Sequence, residues 1–426
     1  MVQPAPFVDF DFPGQRTLSS APWIGTDSES RLFPLALRTT SQIKTLEEFV
    51  ASIERLADED AIVPLLNLHG GAILFRGTHA TTPDDFSRIA HAFKIGMAHE
   101  EVCLACFVLL VQDKLTQSNL PKLANPVIRT VLAKNVATAN EGPPTHPVFP
   151  HSEFGWSSHY PAFLFFFCRH PAESGGETPI NSGAEIFARL QKEVPEFVKD
   201  LAEKVRCPVA QHPQVSSTIF ANLDMGITYV YRYPVEKVPG SNLGNSILAA
   251  YPAANVLPTD DEATKRAKVE TQIQRHSDTW KWNDDGTLSV THRLSSIRRH
   301  PYSKLPVYFG NITSMYLKAQ SQNALEPPYK GDDGAFHHIP TYGDGTPIPN
   351  RYLQKTADLI AEIRVLVPWE QGDVLLLDNH LPAKLTNDEK TDALAAITQV
   401  QHAREPWVGD RRVLASLWDG PASLPY

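Results

Sequence analysis

Thirty-five prolines punctuate this chain of 426 residues and outnumber its 23 glycines. A proline fixes its own φ and has no backbone N–H, so it ends helices and is excluded from central strands. That density argues against long helices and predicts short elements joined by many loops. The chain is otherwise ordinary in composition, 42% hydrophobic and 20% charged, as globular proteins are. It is longer than a usual single domain, but one elaborated β-rich catalytic domain absorbs such a length.

The longest apolar stretches, CLACFVLLV (103–111) and PAFLFFFC (161–168), are too short to span a membrane. MVQPAPFVDFDFPGQ at the N-terminus has no basic segment and no apolar core, so no signal peptide is evident. Cys103, Cys106, Cys168 and Cys207 are too sparse for a disulfide scaffold and fit a reducing compartment. Cys103 and Cys106 form a C-x-x-C with no second pair to complete a zinc site. The net charge is −9 and no dense Lys/Arg tract is present, which disfavours nucleic acid as a partner. The expectation is a soluble, cytoplasmic protein acting on a small molecule, away from membranes and nucleic acid, with its oligomeric state left open.

Along the chain, TLEEFVASIERLA (45–57) has apolar residues at helical spacing. HGGAILFRG (69–77) reads as a buried strand and TTPDDFSRIAHAFK (81–94) as a helix with a Thr-Pro-Asp start. PAFLFFFCRH (161–170) predicts a core strand, SGGETPI (174–180) a turn into another, and 182–205 two helical segments split at Pro195. Residues 206–300 mix short strands with polar loops, with KWNDDGTLSV (281–290) a hairpin. LPVYFGN (305–311), VPWEQGDVLLLDN (367–379) and RRVLASLW (411–418) predict further strands, and a helix falls near 351–365. Early helices with scattered later strands suggest an α+β domain on a β-sandwich or barrel.

FPHSEFGWSS (149–158) puts His151 and Glu153 two apart. On a strand such residues share a face, about 7 Å apart along the backbone. Alone, the pair is equally a solvated surface couple. His402 in TQVQHAREPW could complete two histidines and one carboxylate, the set that binds one face of Fe(II) and leaves three positions open. Arg411 and Arg412 follow on a predicted strand. Adjacent strand residues face opposite sides, so only one guanidinium can point inward, where it would pair with a carboxylate.

PHSEFGWSS, YPAFLFFFC, SGGETPI, VPWEQGDVLLLDN and QHAREPWVGDRRVLASLW occur in the order seen in the TauD/TfdA family of Fe(II)/2-oxoglutarate-dependent dioxygenases. The H-x-E form resembles the clavaminate synthase-like branch. The resemblance runs from about residue 30 to the C-terminus, leaving 1–30 as an N-terminal extension and 31–426 as one dioxygenase domain. It implies a double-stranded β-helix (jelly-roll) core with flanking helices. It implies His151, Glu153 and His402 as iron ligands, with 2-oxoglutarate and O₂ as co-substrates. The co-substrate carboxylate would meet Thr178 and Arg412, with Arg411 as fallback if the register slips by one. Substrate contacts are expected from Phe154, Trp156, Asn140, Glu141 and Asn311.

Three departures stand out. Taurine-type members carry another arginine four residues beyond the co-substrate arginine, where this chain has Ser416, which argues against a sulfonate substrate. Segments 103–123 and 380–399 look inserted, and the second precedes His402, making His380 a competing ligand. The reaction implied is oxidation of a small organic molecule, by hydroxylation, desaturation or cyclisation, with release of succinate and CO₂. Two alternatives stay open at this stage: a catalytically impaired relative with a binding role, and a cupin-type metal hydrolase or isomerase.

Overall fold

The apolar run FLFFFCRH forms the strand Phe163–His170 and organises the fold around it. In the computed structural model the described residues are 6–18, 31–99, 129–139, 142–157, 160–204, 226–239, 246–299, 306–379 and 399–420. Phe163, Phe165 and Phe167 point to one side of their sheet and Leu164 and Phe166 to the other, and all five are buried. An uninterrupted apolar run is what a strand covered on both faces requires.

That strand lies in an eight-stranded sheet whose spatial order is Phe7–Asp9, Leu35–Thr39, Ala72–Arg76, Val374–Asp378, Phe163–His170, Arg412–Trp418, Val136–Thr138 and Val131–Ala133. A four-stranded sheet, in the order Val365–Val367, Thr178–Ser182, Val400–Arg404 and Val148–His151, faces it. Consecutive core strands alternate between the sheets, except that Thr178–Ser182 and Val365–Val367, on either side of a long excursion, pair with each other in the smaller one. Val136–Thr138, Phe163–His170, Val374–Asp378 and Arg412–Trp418 belong to the larger sheet, and the four others to the smaller, paired antiparallel throughout. This winding is the double-stranded β-helix.

Helices cover the outer face of the larger sheet. Leu46–Asp58 and Pro83–Ala92 both begin with capping boxes, from Thr45 with Glu48 and from Thr82 with Asp85. Their residues Phe49, Ile53, Phe86 and Ile89 pack on Phe75, Phe167 and Leu376, and the Phe86 and Phe167 rings stack at 5.1 Å. Pro195 splits the next helical stretch into Gly183–Glu193 and Pro195–Glu203, as the sequence predicts.

Two features differ from the sequence reading. Phe7–Asp9 pairs with Leu35–Thr39, so the N-terminal stretch expected to be an extension supplies an edge strand of the main sheet. The span 206–300, expected to hold only short strands and loops, also contains the helix Glu262–Ile273. Between Ser182 and Val365 the chain leaves the two-sheet core and builds a third sheet, in the order Thr279–Trp282, Leu288–Ser295, Gly226–Tyr233 and Thr341–Tyr342, together with the helix Ile312–Ser321. Segment 103–123, residues 380–398 of the second suspected insertion, and the Cys103/Cys106 pair lie outside the described residues. Among the described residues no helix is long and apolar enough to cross a membrane.

Candidate metal and co-substrate site

The smaller sheet brings His151 and His402 together by its register. His402 pairs with His151 on one side and with Ile180 on the other, and the two imidazole rings lie 4.3 Å apart. Glu153 follows His151 in a tight turn closed by Gly155 N–H to Ser152 C=O. Its Oε2 lies 3.3 Å from His402 Nε2 and 3.7 Å from His151 Nε2. One ligand atom from each of the three lies within 4.8 Å of the others.

The remaining contacts orient these atoms. His151 Nδ1–H donates to the Phe149 carbonyl at 2.8 Å, which orients the ring so that Nε2 faces the cluster. Arg129 donates to Glu153 Oε1 at 2.7 Å and so leaves Oε2 to the histidines. Asn379 clamps the Glu153 backbone: its Oδ1 accepts from Glu153 N–H (2.8 Å) and its Nδ2 donates to Glu153 C=O (3.0 Å) and Pro161 C=O (2.8 Å). Burial opposes ionisation of Glu153, but Arg129 and the two histidines hold its carboxyl well below the usual range. Burial, then the nearby His151, pushes His402 down to about 4, so it is neutral near pH 7. A buried carboxylate with two imidazoles turned toward it is a donor set for a divalent cation, and the residues fit Fe(II).

A cavity of ≈ 230 Å³ opens beside these three residues, between the sheets. Thr178, Phe154, Trp156 and Asn311 line it, as does Arg411. Thr178 is buried and its Oγ1 accepts from Trp369 Nε1 at 3.0 Å. Asn311 Oδ1 accepts from Ser152 N–H at 3.2 Å, which ties the cavity wall to the His-x-Glu turn. Asn140 and Glu141 lie outside the described residues.

Arg412 does not reach the cavity. Its side chain is 57% exposed and pairs with Asp410 on the surface. Val413, Ala415 and Leu417 turn toward the sandwich interior, and Arg411, just before the strand, lines the cavity together with Val413. Arg411 Nε donates to the Gly176 carbonyl at 2.8 Å. Gly176 is in the left-handed region (φ +72°), and a Cβ there would come within 2.7 Å of Arg411 Cδ, so the glycine makes room for the arginine stem. Four residues beyond Arg411 stands Ala415, not Ser416.

The geometry adds groups the sequence reading missed. Arg404 lies two residues past His402 on the same strand, lines the cavity and is 5% exposed. Continuing the register that sets Ile180 opposite His402 puts Thr178 opposite Arg404. Its Nη2 donates to Pro143 C=O (3.2 Å) and His146 C=O (2.6 Å), while Nε and Nη1 find no partner among the described residues. The i, i+2 spacing in QHARE was the available signal. Arg129, Tyr231 and Lys318 also line the cavity, and no local motif marks them.

Known proteins resemble this chain over most of its length. The sequence model described as "Taurine catabolism dioxygenase TauD, TfdA family" matches residues 50–381. That span includes His151, Glu153 and Thr178 and stops short of His402 and Arg411. A clavaminate synthase-like protein of Arabidopsis thaliana is 26% identical over 348 residues, covering 82% of this chain and 81% of its own. The dapdiamide synthesis protein DdaC of Enterobacter agglomerans is 23% identical over 376 residues, covering 87% and 88%. The crystal structure of PvcB from Pseudomonas aeruginosa aligns over 96% of this chain and 93% of its own at 13% identity, with a TM-score of 0.41.

Proposed function

This chain belongs to the TauD, TfdA family and is an Fe(II)- and 2-oxoglutarate-dependent dioxygenase, and on that premise we propose that His151, Glu153 and His402 are its metal ligands. The observation that carries the reading is the convergence of three ligand atoms, from residues 151, 153 and 402, within 4.8 Å. Held by these residues, Fe(II) with 2-oxoglutarate would supply the oxidising chemistry, an oxidation by O₂ coupled to conversion of the co-substrate to succinate and CO₂.

The protein's own groups bind and orient. Arg411, with Thr178 and Arg404 beside it, holds the far carboxylate of 2-oxoglutarate through charge-assisted hydrogen bonds. Arg129 keeps Glu153 ionised and directs a single oxygen to the metal. The Phe149 carbonyl fixes the His151 tautomer, and Asn379 fixes the backbone that carries Glu153. The aromatic walls, Phe154 and Trp156, exclude water from the reacting face. The substrate is a small organic molecule that enters beside them.

Anaerobic titration of the protein with Fe(II) and 2-oxoglutarate tests this site. A visible metal-to-ligand charge-transfer band is expected in the wild type and in His380→Ala, and is expected to vanish in His402→Ala. A band that survives loss of His402 and disappears with His380 would transfer the third ligand to His380. No band in the wild type would sink the site altogether.

A further inference from the structure

The cavity carries more positive charge than its metal and co-substrate need. Among the described residues that line it, Arg129, Lys318, Arg404 and Arg411 are cationic and Glu153 alone is anionic. Glu153 offsets Arg129, to which it is bonded at 2.7 Å. Fe(II) brings two positive charges and 2-oxoglutarate removes two. The charges of Arg404, Arg411 and Lys318 are then still unbalanced in a partly desolvated space. Such a site attracts an anion and selects against a cation.

Lys318 is placed apart from the co-substrate groups. Arg404 and Arg411 come from the two core sheets at the Thr178 end, whereas Lys318 comes from the helix Ile312–Ser321, in the segment inserted between Ser182 and Val365. With Ser314 and Met315 it forms one helical face on the cavity, at i+4 and i+3. Its ammonium group makes no hydrogen bond or ion pair with the described residues, although the side chain is half-buried. Asp333, the acid whose charge acts on it, already accepts from His337 Nε2 (2.8 Å) and from Ala335 N–H (3.1 Å). A half-buried cation whose nearest acid acts on it only from beyond ion-pair distance is better satisfied by an anionic ligand in direct contact. Around it the wall is apolar: Met315 and Tyr231 line the cavity, and Tyr231 packs 5.1 Å from Trp156.

Building on the oxygenase reading above, we infer that the substrate is a small carboxylic acid with an apolar body, and that Lys318 of the inserted helix anchors its carboxylate. The apolar body lies along Met315, Tyr231 and Trp156, which leaves the carbon to be oxidised facing the metal.

The test is anaerobic calorimetric titration of the Fe(II)- and 2-oxoglutarate-loaded protein with matched pairs: 3-phenylpropionate and 4-methylpentanoate against their carboxamides. The wild type should bind the acids at least about tenfold tighter than the amides, the difference that one desolvated charge contact makes. Lys318→Met should bring the acids down to the level of the amides and leave the amides unchanged, and Lys318→Arg should keep the preference. Equal binding of acids and amides by the wild type, a preference that survives in Lys318→Met, or no acid bound better than its amide would each overturn the inference. 2-Oxoglutarate affinity, measured in the same instrument, should not change in Lys318→Met. A loss there would make Lys318 part of the co-substrate site and overturn its role as substrate anchor. Failure of the wild type to bind 2-oxoglutarate would instead strike at the oxygenase site itself, and the two failures are distinguishable.

Discussion

A single position separates Arg411 from Arg412, and the two residues should behave as unlike as their surroundings. Arg411 lines the cavity and lies against Gly176, whereas Arg412 pairs with Asp410 in solvent. Truncating one partner of a buried charge pair costs about 2 kcal/mol or more. Arg411→Ala should therefore weaken 2-oxoglutarate binding by about 30-fold or more, while a surface change such as Arg412→Ala should stay within about twofold. Dissociation constants from the charge-transfer titration decide it, and equal losses in both variants would remove Arg411 from the co-substrate role. At this scale the sequence was partly legible. His151 and Glu153 are local and their spacing is physical, but His402 took its meaning only from resemblance, since any long chain offers a later histidine. Which arginine of the pair faces inward depends on how the chain enters a sheet the sequence does not show. Asn379 lay in a quoted motif, yet its grip on the Glu153 backbone is a contact across 226 residues.

Elements were legible where their own ends announced them. The helices Leu46–Asp58 and Pro83–Ala92 carry capping boxes and one apolar face, and both follow from local chemistry. Glu262–Ile273 buries only Val269 and Ile273, so its pattern reads as polar throughout. Ile312–Ser321 has no side-chain cap and opens with a β-branched residue. Both escaped notice for those reasons, and the second carries Lys318. Between elements, the buried pair of Arg76 and Asp373 ties the end of Ala72–Arg76 to the turn before Val374–Asp378. Arg76 Nε donates to Asp373 Oδ1 at 3.0 Å and Nη2 to Oδ2 at 2.8 Å, and Asp373 is fully buried. Asp373→Ala would leave a buried guanidinium without that partner and should destabilise the fold by about 3–5 kcal/mol. Glu370 also reaches Arg76, at 2.6 Å, but is 60% exposed and cannot take over the role of Asp373. Denaturant unfolding measures the difference. A change confined to surface-mutant size would mean that solvent reaches Arg76 when Asp373 is gone.

At the scale of the whole molecule, the order in which strands wind between two sheets was available only through resemblance, because each pairing joins distant segments. Thr178–Ser182 meets Val365–Val367 across the whole inserted region, and no local pattern encodes that closure. The inserted sheet matters because it backs the cavity, and its acid sensitivity can be derived. His292, on Leu288–Ser295, is 3% exposed, stacks on His276 at 5.2 Å and lies edge-on to Trp156 at 5.2 Å. Burial, then the charge of His276, pushes His292 down to about 3 from its ordinary 6.5. The folded protein therefore keeps this ring neutral while the unfolded chain takes up a proton below pH 6.5. Its contribution to stability is complete above pH 6.5 and is lost as the pH falls from there toward about 3. Well inside that window the slope is about 1.4 kcal/mol per pH unit, or about 2 kcal/mol by pH 5. His276, pushed down to about 4 mainly by its own burial, acts in the same direction. Unfolding free energy measured from pH 7 to pH 5 on the metal-free protein should fall accordingly, and His292→Gln should lessen the slope whatever it does to absolute stability. An unaltered slope in that variant would place the acid sensitivity elsewhere, in His402 or in His338, which burial likewise pushes down to about 4, and would free the inserted sheet from controlling the cavity wall at low pH.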